Sequence, residues 1–428
     1  MTLLQAVLNA FRLPDLRRKL LFTFGVLLLF RFLAHVPVPG VNVEELRRLF
    51  SSNELLGLLD LFSGGALRNL SVASMGVYPY ITATIIMQLL IPAIPALQEM
   101  QKEGDAGRRR LNQYMHWLTV PLAALQAFSA LVVLAGQGII AAPDLFGPNW
   151  LPTWGSIISM VAGTVVLVWM GELITENGIG NGVSIIIFGG IVANLPQILG
   201  SMTIGGGDYM GIVLFGLIGL GTVAAIVVVQ EAQRRIPVQY AKRIRGTRMY
   251  GGQSTHIPLK VNSAGMIPLI FAMSIMLLPQ MIAQFFLNSS IDWVSTVAGW
   301  INTYLGIKSP VYWLAYFLLV VGFTFFYTMV IFQQQNLSEN LQKHGGFIPG
   351  IRPGKPTSEY LNNVLYKITW LGAIFLGAIA VVPFLAQGIS TTLVVSSTGL
   401  LIVVGVVLDT MKQLEAQLMM RHYEGFIK

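Results

Sequence analysis

The chain predicts an all-α integral membrane protein, with ten transmembrane helices in two inverted five-helix halves. Three observations carry that prediction. Of 428 residues, 54% are hydrophobic and only 11% charged, at a mean hydropathy of +0.68, which leaves too few polar side chains to wet a soluble surface. The apolar residues gather into ten windows, each close to the ~20 residues that cross a hydrocarbon core of about 30 Å as a helix. The lysines and arginines concentrate in alternate gaps between those windows.

The first window, 20–36, follows Arg12, Arg17, Arg18 and Lys19. A charged start of this kind also opens signal peptides, but no small-residue cleavage site follows and Arg31 interrupts the run, so the window reads as a retained span. The next apolar stretch, 55–67 (LLGLLDLFSGGAL), is about half the length needed to cross, and Ser63, Gly64 and Gly65 would interrupt a helix. It fits either a re-entrant half-helix or an amphipathic piece lying on the outer face. The second window, 70–91, carries Ser71, Ser74, Tyr78, Pro79, Tyr80, Thr82, Thr84 and Gln88. So many hydroxyls suit a helix that lines water or packs on other helices better than one bathed in lipid. Windows 114–134, 154–173 and 182–199 complete a first half, residues 1–200. Windows 210–229, 263–286, 311–332, 367–386 and 391–409 make up a second, residues 201–428.

Charge sets the orientation. With the N-terminus inside, 21 of the 27 lysines and arginines lie in inside segments, seven of them in 230–262 alone. Outside loops hold only Arg47, Arg48, Arg68 and Lys308. That bias places both termini in the cytoplasm. Five spans per half is an odd number, so the halves enter the membrane in opposite senses, as in inverted-repeat architectures, with any cavity between them.

Several function classes lose their basis. No Asp, Glu or His falls mid-span, where ion-coupled transporters and pumps keep the titratable groups that carry protons or ions. Glu172 and Asp409 stand at span ends, where interfacial water accounts for them. The chain has no cysteine, no HExxH helix and no Walker-type phosphate loop, and the GIGNG cluster at 178–182 is a short turn between spans. Titratable groups do not converge as a membrane enzyme would require. A passive conduit remains, with its energy source elsewhere; a secondary transporter of small solutes that coordinates ions through backbone alone is the alternative.

Two inside loops hold more charge than topology requires. Segment 230–262 carries Arg234, Arg235, Lys242, Arg243, Arg245, Arg248 and Lys260 against Glu231, and Arg245-Gly246-Thr247-Arg248 looks like a hairpin tip. Contact with anionic lipid would account for such density, and so would docking of an RNA-rich or acidic partner. Segment 333–366 contains GGFIPGIRPGKPT, whose prolines and glycines predict a compact non-helical knob presenting Arg352 and Lys355.

Blocks spread over essentially the whole chain resemble the SecY family of protein-translocation channels. They are VPVPG (36–40), FSGGAL (62–67), GVYPYITATIIMQLL (from Gly76), KEGDAGRRRLNQY (102–114) and GELITENGIGNGVSIIIF (171–188), then QRRIPVQYAKR (from Gln233), QSTHIPLKVNSAGMIP (from Gln253) and GFIPGIRPGKPT (from Gly346). They occur in family order. The resemblance implies an hourglass channel between the two halves, closed at mid-membrane by a ring of aliphatic side chains. By motif position that ring is Val77, Ile81, Val183, Ile187, Ile270 and Ile402. Stiff β-branched residues can close round a polypeptide yet offer ions no solvation. Two valines where isoleucine is common in the family imply a slightly wider gasket.

The resemblance also makes the short segment a plug, Leu61, Phe62, Ser63, Gly64, Gly65, Ala66, Leu67, Arg68 and Asn69, that closes the channel from outside. The polar second span and the span from Ser263 become a lateral gate, through which apolar signal segments pass into membrane lipid at about 0.8 kcal/mol per buried CH₂. Arg243, Arg245, Arg248, Arg352 and Lys355 match the family's docking sites for the ribosome and the SecA motor ATPase. Implied partners are SecE and SecG subunits and chains bearing signal sequences, in the bacterial cytoplasmic membrane. No cofactor is implied.

Overall fold

The computed structural model describes residues 13–38, 46, 63–136, 140, 143, 146–148, 150–204, 209–240, 243–245, 248–250, 254–287, 291–306, 309–335, 337–343, 345–386 and 391–424. A helix covers each of the ten apolar windows: α1 Pro14–Leu33, α2 Tyr78–Ala93, α4 Asp105–Gly136, α5 Trp150–Asn177, α6 Gly182–Ile204, α7 Tyr209–Glu231, α8 Ile267–Phe286, α10 Pro310–Gln335, α12 Lys355–Ala386 and α13 Thr391–Glu424. Among the described residues three shorter helices intervene, α3 Pro95–Lys102, α9 Asp292–Tyr304 and α11 Leu337–Lys343. Among the described residues, 105–136, 150–177, 310–343 and 355–382 are long and apolar enough to cross a bilayer unaided, and α2 is so only together with α3, across a 100° bend. Ile94 makes that bend in an extended conformation (φ −113°, ψ 112°), which the ring of Pro95 enforces on the residue before it.

One window is shorter as a helix than expected. Residues 70–77 form turns, and α2 starts only at Tyr78. Here VPVPG competes for the backbone: Val38 N donates to Leu70 O at 2.8 Å, and Val72 N to Val36 O at 2.9 Å, bridging Pro37 and Ser71. Gly76 at φ +57° then turns the chain into α2, whose Pro79 lies in the first turn, where a missing N–H costs nothing.

The chain forms two compact units that interleave in sequence, one of Met1–Phe215, Ser274–Ser309 and Ala386–Lys428, the other of Gly216–Met273 and Pro310–Leu385. In the first, α2, α4, α5 and α6 pack in chain order, α1 lies against α5 and α6, and α13 lies on α6. Its core joins Val38, Leu67 and Leu70 to Ala127, Leu131 and Leu134 of α4 and to Ile157 and Met160 of α5. Glycines allow the close crossings typical of membrane helices. A Cβ on Gly182 would stand 1.8 Å from Gly171 O, and one on Gly163 1.9 Å from Val72 O.

The second unit adds β-structure to the expected all-helical fold. Strand β1, Gln233–Tyr240, pairs antiparallel with β4, Ser254–Lys260, from Gln233↔Lys260 to Gln239↔Ser254. It also pairs with the two-residue β5, Gly346–Phe347, through Gln239↔Phe347 and Tyr240↔Gly346. Strands β2, Arg243–Arg245, and β3, Arg248–Tyr250, form a ladder closing at Arg245↔Arg248, the hairpin tip the sequence marked. Ile236 and Val238 alternate with exposed neighbours and bury one sheet face against Leu341 of α11 and Leu361 and Val364 of α12.

Candidate functional site

Val77 immediately precedes α2, and its carbonyl accepts the Ile81 N–H at 3.1 Å; both side chains are buried. Ile187 on α6 and Ile402 on α13 are buried too, and those helices pack together. Val183 is half-buried against α5, its Cγ2 3.1 Å from where a Cβ on Gly171 would stand. These five expected ring residues belong to the first unit. Ile270, half-buried near the start of α8, belongs to the second.

Leu61 and Phe62 of the expected plug lie outside the described residues. The rest is a tight turn followed by a single 3₁₀ turn, Leu67–Asn69. Buried Ser63 organises it, its Oγ accepting the Leu67 N–H at 3.0 Å. Gly64 (φ +67°) and Gly65 (φ +84°) occupy left-handed conformations that disfavour any other residue. Both also sit where no Cβ fits: on Gly64 it would meet Gly190 Cα of α6 at 2.6 Å, and on Gly65 Asn194 Oδ1 at 2.8 Å. Arg31 of α1 completes the seat, Nη1 donating to Gly64 O at 2.7 Å. The sequence marked Arg31 as an interruption but gave no sign of this partner 33 residues away.

The expected gate helices touch through a buried hydrogen bond, Tyr78 Oη of α2 donating to Ser274 O of α8 at 3.1 Å. Other hydroxyls of α2 turn back on their own helix, Thr82 to Tyr78 O and Thr84 to Tyr80 O, so their number reflects internal satisfaction as much as a wet surface. Two titratable groups near span ends meet across neighbouring helices, which sequence reasoning missed: His116 Nε2 on α4 stands 3.0 Å from Glu172 Oε1 on α5. The pair lies at the mouth of an apolar hollow lined by Trp117, Val120, Val165 and Trp169. Among the described residues, no three His, Asp or Glu side chains gather as a metal site would need.

The residues expected to dock partners divide. Arg243, Arg245 and Arg248 fall on β2 and β3, at the tip of the sheet connection. Arg352 is exposed in a turn between Gly350 (φ +83°) and Gly354 (φ +100°), closed by Thr357 Oγ1 donating to Arg352 O at 2.8 Å. Lys355 departs from the expected non-helical knob: it is the first residue of α12, with Pro356 in the first turn. Proline's fixed φ suits that position, so the GKPT sequence starts a helix where loop was expected.

The family model described as SecY matches residues 71–411. A protein translocase subunit SecY from Streptomyces galbus is 47% identical over 442 residues, covering all of both chains. The chain belongs to the SecY family. A SecY subunit from Thermotoga maritima is 44% identical, over 99% of this chain and 98% of its own. Among solved structures, one titled as a protein-conducting channel aligns with a TM-score of 0.62, covering 94% of this chain and 92% of that one at 18% identity, a likeness of fold. The canine Sec61 channel, in a ribosome-channel complex, aligns at 0.57 and 17% identity, over 94% and 92% of the two chains. As a SecY chain this is a protein-conducting membrane channel, not an enzyme.

Proposed function

We propose that this SecY chain passes unfolded secretory polypeptides across the bacterial cytoplasmic membrane, both termini inside, and releases apolar segments into lipid between α2 and α8. Residues 1–200 and 201–428 are the two halves of the channel, with five spans each. Val77, Ile81, Val183, Ile187, Ile270 and Ile402 form the constriction, and the segment from Leu61 to Asn69 is the plug. The observation that carries this reading is the seat of Gly64 on Gly190. Gly190 lies three residues beyond Ile187 on α6, about 4.5 Å along the axis, and α6 runs outward in the charge-derived topology. The plug segment therefore rests just outside the level of a ring residue, where a plug would seal.

The energy for transport comes from outside the chain. SecA and the ribosome dock on Arg243, Arg245, Arg248 and Arg352, with Lys355 beside them at the start of α12, and SecE and SecG complete the membrane complex. Absence of cysteine makes a direct test simple. A single cysteine at Ile81 or Ile402 is expected to crosslink to a stalled translocating chain. Crosslinks found only at lipid-facing controls such as Leu28 or Leu314, 58% and 62% exposed, would refute the pore assignment.

A further inference from the structure

Helix α9, Asp292–Tyr304, follows α8 and precedes α10 in the chain, and neither the charge pattern nor the transport reading uses it. Its 13 residues present three different faces. Trp293, Val297, Trp300 and Tyr304, spaced as one helical stripe, are all exposed, Trp293 at 70% and Trp300 at 64%. Ala298, on another face, is buried. Asp292, Thr296 and Thr303 make a polar flank, on which Thr296 Oγ1 donates to Asp292 O and Thr303 Oγ1 to Gly299 O.

Depth is fixed by a second observation. The amide of Gln280, a residue 1% exposed within α8, donates to the carbonyl of Leu305, the residue that caps the C-terminal end of α9. Gln280 lies six residues before the end of α8, about 9 Å down its axis. The C-terminal end of α9 is thus drawn back along the span instead of standing free above it. At that depth an exposed stripe with two tryptophans and a tyrosine meets the headgroup and upper acyl region, where such amphipathic rings are most favourable. The C-terminal end of α8 also exposes apolar side chains, Ile282 and Phe286.

We infer that α9 is an interfacial anchor, its Trp293–Val297–Trp300–Tyr304 stripe seated in the outer leaflet and its Asp292–Thr296–Thr303 flank facing water. The inner or outer identity of the leaflet rests on the orientation proposed above; the insertion itself does not. The occupant of the stripe is phospholipid, since Asp292 is the only charged residue of α9 and the stripe joins two tryptophans and a tyrosine, the side chains that suit a membrane–water interface.

The test places single cysteines at 293, 297, 300, 304, 296 and 303 of the full chain, with its partner subunits, in dilute vesicles of phosphatidylcholine and phosphatidylglycerol. Nitroxide labels on the stripe are expected to collide preferentially with oxygen, and labels at 296 and 303 with a nickel chelate. Gln280→Leu should erase the oxygen preference at 304 while leaving it at 293. Equal chelate access at all six sites would overturn the proposal by making α9 a water-exposed helix. Protection of the stripe from both reagents would overturn it by showing a protein cover, whether a partner subunit or a second copy. An impermeant maleimide at 303 separates the two claims: reaction only from the cytoplasmic side overturns the orientation and leaves the collision pattern as it is.

Discussion

Arg31 is a cation inside an apolar run, a placement costly enough that its partner decides its effect. Its guanidinium spends one donor on the Gly64 carbonyl, in a segment whose glycines already fit against Gly190 and Asn194. A charge-assisted bond of this kind contributes about 1.5–3 kcal/mol, and the half-exposed setting of Arg31 argues for the lower end. Arg31→Leu should raise the resting ion conductance of the channel in planar bilayers, by about tenfold in unplugged population for each 1.4 kcal/mol lost. Conductance equal to the parent's would show that the plug segment is held without Arg31. At this scale the sequence was legible only as anomaly: it showed a charge out of place, while its partner is a backbone carbonyl, which carries no side-chain signature.

Helices are where the sequence said most, because length and hydropathy are properties of a single segment. Every apolar window holds a helix. The misplaced boundaries have local causes, such as the backbone bridge between VPVPG and Leu70–Val72 that delays α2 to Tyr78. Contacts between helices were less legible, since they depend on glycines whose value appears only once a neighbour is known. Gly182→Leu drives a side chain into the backbone at Gly171 O, so its cost should exceed the about 1–3 kcal/mol of ordinary overpacking and lower the thermal midpoint in detergent. Gly25→Ala, with nothing within 4 Å, should change stability by less than about 1 kcal/mol. Tyr78→Phe removes one buried hydrogen bond between α2 and α8, about 1 kcal/mol, and should favour their separation. Spin-label distances between positions 84 and 282 would lengthen or broaden; an unchanged distribution would show that this bond does not hold the gate.

At the level of the whole molecule, fold class and family were open to inspection in the sequence, and the joining of the two basic loops was not. Tyr240 and Gly346 pair across more than a hundred residues, a long-range choice that counting charges cannot reveal. The result is one platform with a shared core of Ile236, Val238, Leu259, Leu341 and Leu361. An exposed Glu339–Lys343 pair at 2.9 Å on α11 adds little to it beyond holding the Glu339 carboxyl below its usual range. Arg352→Glu is expected to weaken binding of the motor or ribosome, measured by co-sedimentation, with the fold of the purified channel retained and the parent affinity falling as salt rises. Binding unaffected by the reversal would place the docking contact elsewhere. Val238→Asp should instead cost stability, because it buries a charge among aliphatic side chains. Strand β1 follows α7 after a single residue, and Val261 N donates to Ala232 O at 2.9 Å where β4 leaves toward α8. That neck is closed further by Gly372 of α12, where a Cβ would stand 2.5 Å from Val261 O. In mechanical terms the platform is a handle seated on α7 and α12: a push on its surface reaches the base of those helices as torque.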